Sequence, residues 1–196
     1  MTEETDLTRR HFLTVATATA GVVGVAFAAA PFVASFRPSA RARALGAPIE
    51  VDVSKISEGS MLKVEWRGQP VWVLHRTQAM LDTLEEIEPR LRDPESNQSD
   101  QPDYARNRHR SERPEYLVVI GSCTHLGCAP IERFEIGPAD LGRDWKGGFF
   151  CPCHGSSFDL AGRVFSGVPA PTNLVIPPHT FTDDRTLLIG SDTGAA

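Results

Sequence analysis

Two short strings, Cys123-Thr124-His125-Leu126-Gly127-Cys128 and Cys151-Pro152-Cys153-His154-Gly155-Ser156, contain all four cysteines of this chain and two of its six histidines. Each offers a Cys and a His two or three residues apart, with one further cysteine close by. A fold that uses such strings must bring two loops together around a shared point. Four ligands drawn from those loops, two sulfur and two imidazole, define a narrow range of metal chemistry.

Two thiolates and two imidazoles suit a Rieske-type [2Fe–2S] centre, in which two histidines replace two cysteines on one iron. An oxidised core with four thiolates carries a charge of about −2, and the mixed set brings it to about zero. A neutral site accepts an electron more readily, so potentials rise from about −400 mV to a range of about −150 to +300 mV. Iron's charge also acidifies a bound imidazole, which couples electron to proton. Two other readings stay open at this point. Structural zinc takes Cys₂His₂ sets, but as C-x₂₋₄-C with H-x₃₋₅-H rather than with one Cys and one His per string. Plain disulfides in an exported domain would leave both histidines as ordinary surface residues. In the metal reading each string supplies one ligand cysteine and one spare.

The strings resemble those of the Rieske iron–sulfur subunits of cytochrome bc complexes, the ubiquinol–cytochrome c reductases. The resemblance runs from the N-terminus to about Gly190. It implies one [2Fe–2S] cluster, with Cys123 and Cys151 on the inner iron and His125 and His154 on the outer. It implies a Cys128–Cys153 disulfide clamping the loops, and roles for His154 and His125 at the reacting edge. Gly167-Val168-Pro169-Ala170-Pro171 resembles the family's "Pro loop", which covers the cluster from a third side. Ser156 stands where relatives carry a serine that donates to a cluster sulfur. Two residues on, Phe158 replaces the tyrosine of high-potential members, and a phenyl ring has no donor. A lower potential than in Tyr-bearing relatives is therefore predicted. Leu126, with Pro169, Ala170 and Pro171, would form an apolar rim that docks against cytochrome b.

The N-terminus adds a second constraint. Thr8-Arg9-Arg10-His11-Phe12-Leu13 is a twin-arginine pattern, and no residue from Phe12 to Phe36 is charged. About twenty apolar residues suffice to cross a bilayer, whereas a cleaved leader has an apolar core of about 7–15. We read an uncleaved anchor. The alternative is a leader cut near Ala28-Ala29-Ala30 or Ala42-Arg43-Ala44. Arginines flank both ends of the run, so charge asymmetry does not orient it. The twin-arginine pattern does, placing residues 1–11 in the cytoplasm and the remainder on the periplasmic side of a bacterial inner membrane. Residues 37–48 have no hydrophobic period and read as a linker. The resemblance makes this linker the hinge on which a soluble head swings between partners.

After Pro48 the pattern is that of an all-β domain spanning 49–196. Ile49 to Val53, Met61 to Trp66, Val71 to His75 and Tyr116 to Ile120 read as strands, with Arg67-Gly68-Gln69-Pro70 as a turn. Gly148 to Phe150, Ser157 to Leu160, Val164-Phe165 and Thr186 to Ile189 complete the sheets. Thr77 to Leu91 carries helical periodicity. Residues 93–114 are polar and read as a long surface loop without a site; residues 131–147 read as a solvated excursion. The expected architecture is an antiparallel β-sandwich with a small cluster-binding subdomain inserted at about 121–168, preceded by one transmembrane helix.

The remaining histidines, at 11, 75, 109 and 179, have no ligand-type neighbours in sequence. No basic stripe suits nucleic acid, and the net charge is −5. The resemblance implies cytochrome b, cytochrome c1 and quinol as partners within a dimeric complex, the subunit being inactive alone. A Rieske small subunit of another exported oxidoreductase, such as arsenite oxidase, is the alternative.

Overall fold

The computed structural model describes residues 2–191, so Met1 and the last five residues of the expected 49–196 domain lie outside the described residues. The chain divides into two compact units, one ending at Ala44 and the other beginning at Leu45.

The first unit is a single long helix, α1 (Thr2–Ser35), followed by a short helix α2 (Ala40–Leu45). The α1 side chains Phe12, Val22, Phe27 and Phe32 are all exposed, so the helix is apolar without a core to face. By length and composition it is able to cross a membrane. Its hydroxyls are satisfied internally: Thr14 donates to the Arg10 carbonyl and Thr19 to that of Val15. α2 lies inside the segment read from sequence as an unstructured linker. Alanine, arginine and leucine are good helix formers, and Ser39 accepts from the Ala42 N–H at its start.

The second unit is built from three antiparallel three-stranded sheets. The first joins β1 (Ile49–Asp52), β9 (Thr186–Ile189) and β8 (His179–Phe181), so the two ends of the domain pair, Ile49 opposite Ile189. The second is a meander of β2 (Met61–Trp66), β3 (Gln69–His75) and β4 (Tyr116–Ile120). Arg67 and Gly68 form the tight turn of its first hairpin, both at positive φ, as the twist of paired strands prefers. The third comprises β5 (Ile131–Arg133), β6 (Gly148–Phe150) and β7 (Ser157–Phe158).

The middle sheet is the shared layer. Alternation along β3 and β4 sends Val71, Val73, Tyr116 and Val118 into one core with Val51, Leu187 and Ile189. It sends Trp72, Leu74, Leu117 and Val119 into the other, which also contains Cys123, Phe149, Cys151 and Phe158. Buried on both faces, β4 is apolar throughout, and it leads directly into the first Cys-His string.

The structure adds detail at three places. The helix α3 (Gln78–Ile87) is shorter than the periodicity suggested, capped by Thr77 and closing in a 3-10 turn at Glu88–Arg90. Pro89, which has no N–H to continue an α-helical ladder, sits in that turn. Residues 93–114 form a mostly solvent-facing loop, as read from sequence, but one anchored inward: Asp93, Ser96, Ala105, Arg110 and Ser111 are buried. Their polarity is absorbed by hydrogen bonds, such as those from Arg110 to the Leu174, Ala161 and Gly162 carbonyls. Arg76 likewise donates to the carbonyls of Pro114, His109 and Leu160. Burial pushes both guanidinium groups down to about 9. Finally, residues 131–147, mostly solvent-facing as expected, begin with β5 and bury Trp145, whose indole donates to the Arg133 carbonyl.

Candidate metal centre

Both Cys-His strings fold into the same backbone device. In the first, the Cys123 N–H donates to the Cys128 carbonyl at 2.8 Å and the Gly127 N–H to the Cys123 carbonyl at 2.9 Å. In the second, the Cys151 N–H donates to the Ser156 carbonyl at 2.7 Å and the Gly155 N–H to the Cys151 carbonyl at 2.9 Å. Gly127 and Gly155 take φ of 79° and 77°, the left-handed conformation that closes each turn at no steric cost. Each loop thus starts from a buried cysteine just beyond a strand and turns back on itself after the histidine.

The loops are joined by the disulfide Cys128–Cys153, with Cα atoms 6.6 Å apart. Cys123 and Cys151 are the free cysteines, both buried. The sulfur of Cys151 lies with those of Cys128 and Cys153 in a group spanning no more than 4.8 Å. Two of that group are bonded to each other and have no thiolate to offer, so only Cys151 among them is available to a metal. Burial pushes the Cys123 thiol up, and the adjacent Cys151 sulfur adds to this; the His125 N–H and the Ser156 hydroxyl pull it down.

The two imidazoles stand edge to face, their ring centroids 4.7 Å apart. His154 is exposed, while His125 is half-buried. The His125 Nδ1 atom is buried and has no hydrogen-bond partner. An imidazole nitrogen left this way costs free energy unless something electrophilic meets it. Two free buried thiols, an orphaned imidazole nitrogen and a second imidazole beside it fit the donor set of a [2Fe–2S] centre with mixed ligation. Of the other histidines, His75 and His179 each place Nδ1 against a carbonyl, of Ile56 and Pro177.

A third loop, residues 167–171, closes over the pair. The Ala170 N–H donates to Ser156 Oγ at 3.0 Å, and the Thr124 hydroxyl donates to the Thr172 carbonyl at 2.7 Å. Because Ser156 Oγ accepts from Ala170, its own hydrogen remains to be donated, and the hydroxyl lies where it pulls the Cys123 thiol down. Leu126 is 70% exposed, and Pro169 and Pro171 are exposed as well. Ala170, placed on the same rim from sequence, is fully buried because its N–H is turned inward. Phe158 is buried in the core beside Cys123 and Cys151. Thr124 went unremarked in the sequence although it lies inside the first string; nothing in the order of residues announces its partner forty-eight positions away.

The Rieske [2Fe-2S] domain family matches residues 49–178, and the family described as the ubiquinol–cytochrome c reductase Fe-S subunit TAT signal matches residues 1–39. The chain is 61% identical over 188 residues to the ubiquinol–cytochrome c reductase iron–sulfur subunit of Allochromatium vinosum, covering 96% of this chain and 91% of that one. It is 45% identical over 187 residues to the subunit of the same name from Blastochloris viridis, covering 95% and 94%. Among solved structures, a chain of a hyperthermophilic respiratory Complex III is 27% identical with a TM-score of 0.47, covering 89% of this chain and 98% of that one. On the family match over residues 49–178 and the 61% identity to the Allochromatium vinosum subunit, and on a loop pair that carries two free thiols and two imidazoles, the chain belongs to the Rieske iron–sulfur subunits of ubiquinol–cytochrome c reductase.

Proposed function

We propose that this protein is the membrane-anchored electron carrier of a ubiquinol–cytochrome c reductase, taking one electron and a proton from quinol at cytochrome b and passing the electron to cytochrome c1. The observation that carries the reading is the pairing of buried free Cys123 and Cys151 with the edge-to-face imidazoles of His125 and His154. The matches over residues 1–39 and 49–178 support it over the small subunit of another exported oxidoreductase.

Cys123, Cys151, His125 and His154 would hold one [2Fe–2S] cluster, which when bound supplies one-electron transfer at a potential raised by its imidazole ligands. The chain's own residues supply the remainder. Burial of both cysteines keeps water from the sulfur side. His154, exposed at the loop end, meets the quinol: the ring nitrogen not used by the metal accepts a hydrogen bond from the quinol hydroxyl and takes its proton. His125 is the second candidate for that proton. Leu126, Pro169 and Pro171 form the apolar rim that seats the head against cytochrome b. The Cys128–Cys153 disulfide holds the two loops in register while partners exchange.

Residues 1–11 would lie in the cytoplasm, 12–36 span the membrane, 37–48 serve as the hinge, and 49–196 form the periplasmic head with its cluster subdomain at about 121–168. The subunit works within a dimeric complex and is inactive alone. The test is an EPR spectrum of dithionite-reduced native membranes, with and without a quinol-site inhibitor. A Rieske-type signal that shifts with inhibitor supports the proposal. An unshifted signal would assign the cluster to another electron partner, and zinc or no metal in the purified protein would end the redox reading.

A further inference from the structure

The loop that closes over the centre is difficult to hold by backbone alone. Pro169 and Pro171 have no N–H, so a strand-like ladder is unavailable. Its far end is fixed by Asn173, whose side chain accepts from the Val164 N–H and donates to the Asp93 carbonyl and to Ser96 Oγ. Its near end is fixed by the Ser166 N–H, which donates to the Arg90 carbonyl at 2.8 Å. Between these ends the Arg92 guanidinium donates to the Val168 carbonyl at 2.9 Å and the Pro171 carbonyl at 3.5 Å. Those carbonyls flank Ala170, whose N–H reaches Ser156 Oγ.

We propose that Arg92 is a positioning residue for the cluster site: by bridging the Val168 and Pro171 carbonyls it sets the Ala170 N–H, which in turn aims the Ser156 hydroxyl. A planar guanidinium with a fork of donors can bridge two carbonyls at once, which a single ammonium does poorly. The Arg92 backbone is itself anchored, its N–H donating to the Val164 carbonyl at 3.0 Å. The bridge therefore runs from a fixed strand-like segment onto a loop that has few donors of its own. This assigns the start of the 93–114 region, together with Asp93 and Ser96, a part in shaping the site. The proposal rests on the ligand reading above, and on Ser156 as a donor to the sulfur side.

The experiment is a redox titration followed by EPR on the intact complex carrying Arg92→Gln, Arg92→Lys, Ser156→Ala, or Arg92→Gln with Ser156→Ala. Arg92→Gln should lower the midpoint potential, because a Ser156 hydroxyl that is no longer aimed stops favouring the reduced state. Arg92→Lys should shift in the same direction, since it keeps the charge but not the bridge. In the Ser156→Ala background, Arg92→Gln should add nothing. Amide exchange at Ala170 should quicken in both single Arg92 variants. A wild-type potential in Arg92→Lys beside a lowered one in Arg92→Gln would point to charge acting at a distance and overturn the proposal. So would an undiminished shift in the Ser156→Ala background, or a normal signal with no shift in Arg92→Gln. Absence of the cluster signal in the unmutated protein would instead overturn the ligand reading, and this proposal with it.

Discussion

Arg163 and Asp159 form an ion pair at 2.8 Å with neither side chain exposed to solvent. Asp159 also accepts from the backbone N–H groups of Ala161 and Arg163, and Arg163 donates to the Leu84 carbonyl on α3. The pair fixes the turn that follows β7 and ties it to the helix. Breaking a buried pair by removing one partner costs about 3–5 kcal/mol, because the other charge is left unpaired. Asp159→Asn should therefore lose about that much stability: the amide retains one acceptor oxygen but turns a donor towards the guanidinium. Chemical unfolding of the cluster-loaded protein measures it, and a loss below about 1 kcal/mol would mean that Glu88 and the carbonyls around Arg163 compensate.

The disulfide makes a separate contribution. Cys128 and Cys153 are 25 residues apart in sequence. In the chain-entropy picture, closing a loop of that size stabilises the fold by about 3.5 kcal/mol. Replacing both cysteines with serine should lower the urea midpoint accordingly. Cluster content should fall with it, since the loops that present the ligands are then joined only through the core. Unchanged cluster content with lowered stability would restrict the disulfide to a purely structural part.

The excursion after β5 is pinned by charge. Arg133 donates to both carboxylate oxygens of Asp140 at 2.7 Å, and this holds the Asp140 carboxyl at about 2 against an ordinary 3.8. A carboxyl depressed on folding stabilises the fold fully above its unfolded value and loses that contribution as pH falls through the folded one. The closing of residues 133–145 should thus persist from neutral pH down to about 3.8 and weaken between there and about 2. Amide exchange across 135–144 at pH 4 should be slow in the natural protein and fast in Arg133→Gln. Equal exchange in the two would show that the Trp145 contacts hold the excursion without the pair.

The elements of the fold and the site differ in how visible they are in the sequence. Val71 to His75 read as a strand because an apolar run follows the Arg67-Gly68-Gln69-Pro70 turn, and the candidate ligands stood out because few residue types can bind iron. β5 and β8, three residues each, are too short for a period to register, and pairing with β6 and β9 makes them strands. The polar run 93–114 is the loop its composition suggests, but composition records that Arg110 and Ser96 are polar and not that carbonyls and amides await them inside. Within the site, the residues expected at the loops are there. What was hidden is how they are held, because the bonds from Ala170 to Ser156 and from Arg92 to Val168 join segments distant in sequence.

Phe158 and Ser156 bear on the potential from opposite sides. Ser156 accepts from Ala170 and keeps its hydrogen to donate, whereas Phe158 is buried in the same core as both free cysteines and offers no donor. A hydrogen bond to sulfur strengthens when charge is added, so it favours the reduced state and raises the potential. If that preference is worth about 1–1.5 kcal/mol, it corresponds to about 40–65 mV for one electron, at 59 mV per tenfold. Ser156→Ala should lower the potential by about that much. Phe158→Tyr should raise it by a similar amount, provided the added hydroxyl reaches a sulfur rather than a carbonyl. A redox titration of each variant decides the matter. The double variant adds a finer test: hydrogen bonds acting independently on the same sulfurs should give opposite shifts that cancel. A double variant that keeps the full Ser156→Ala shift would show that the added hydroxyl reaches no sulfur.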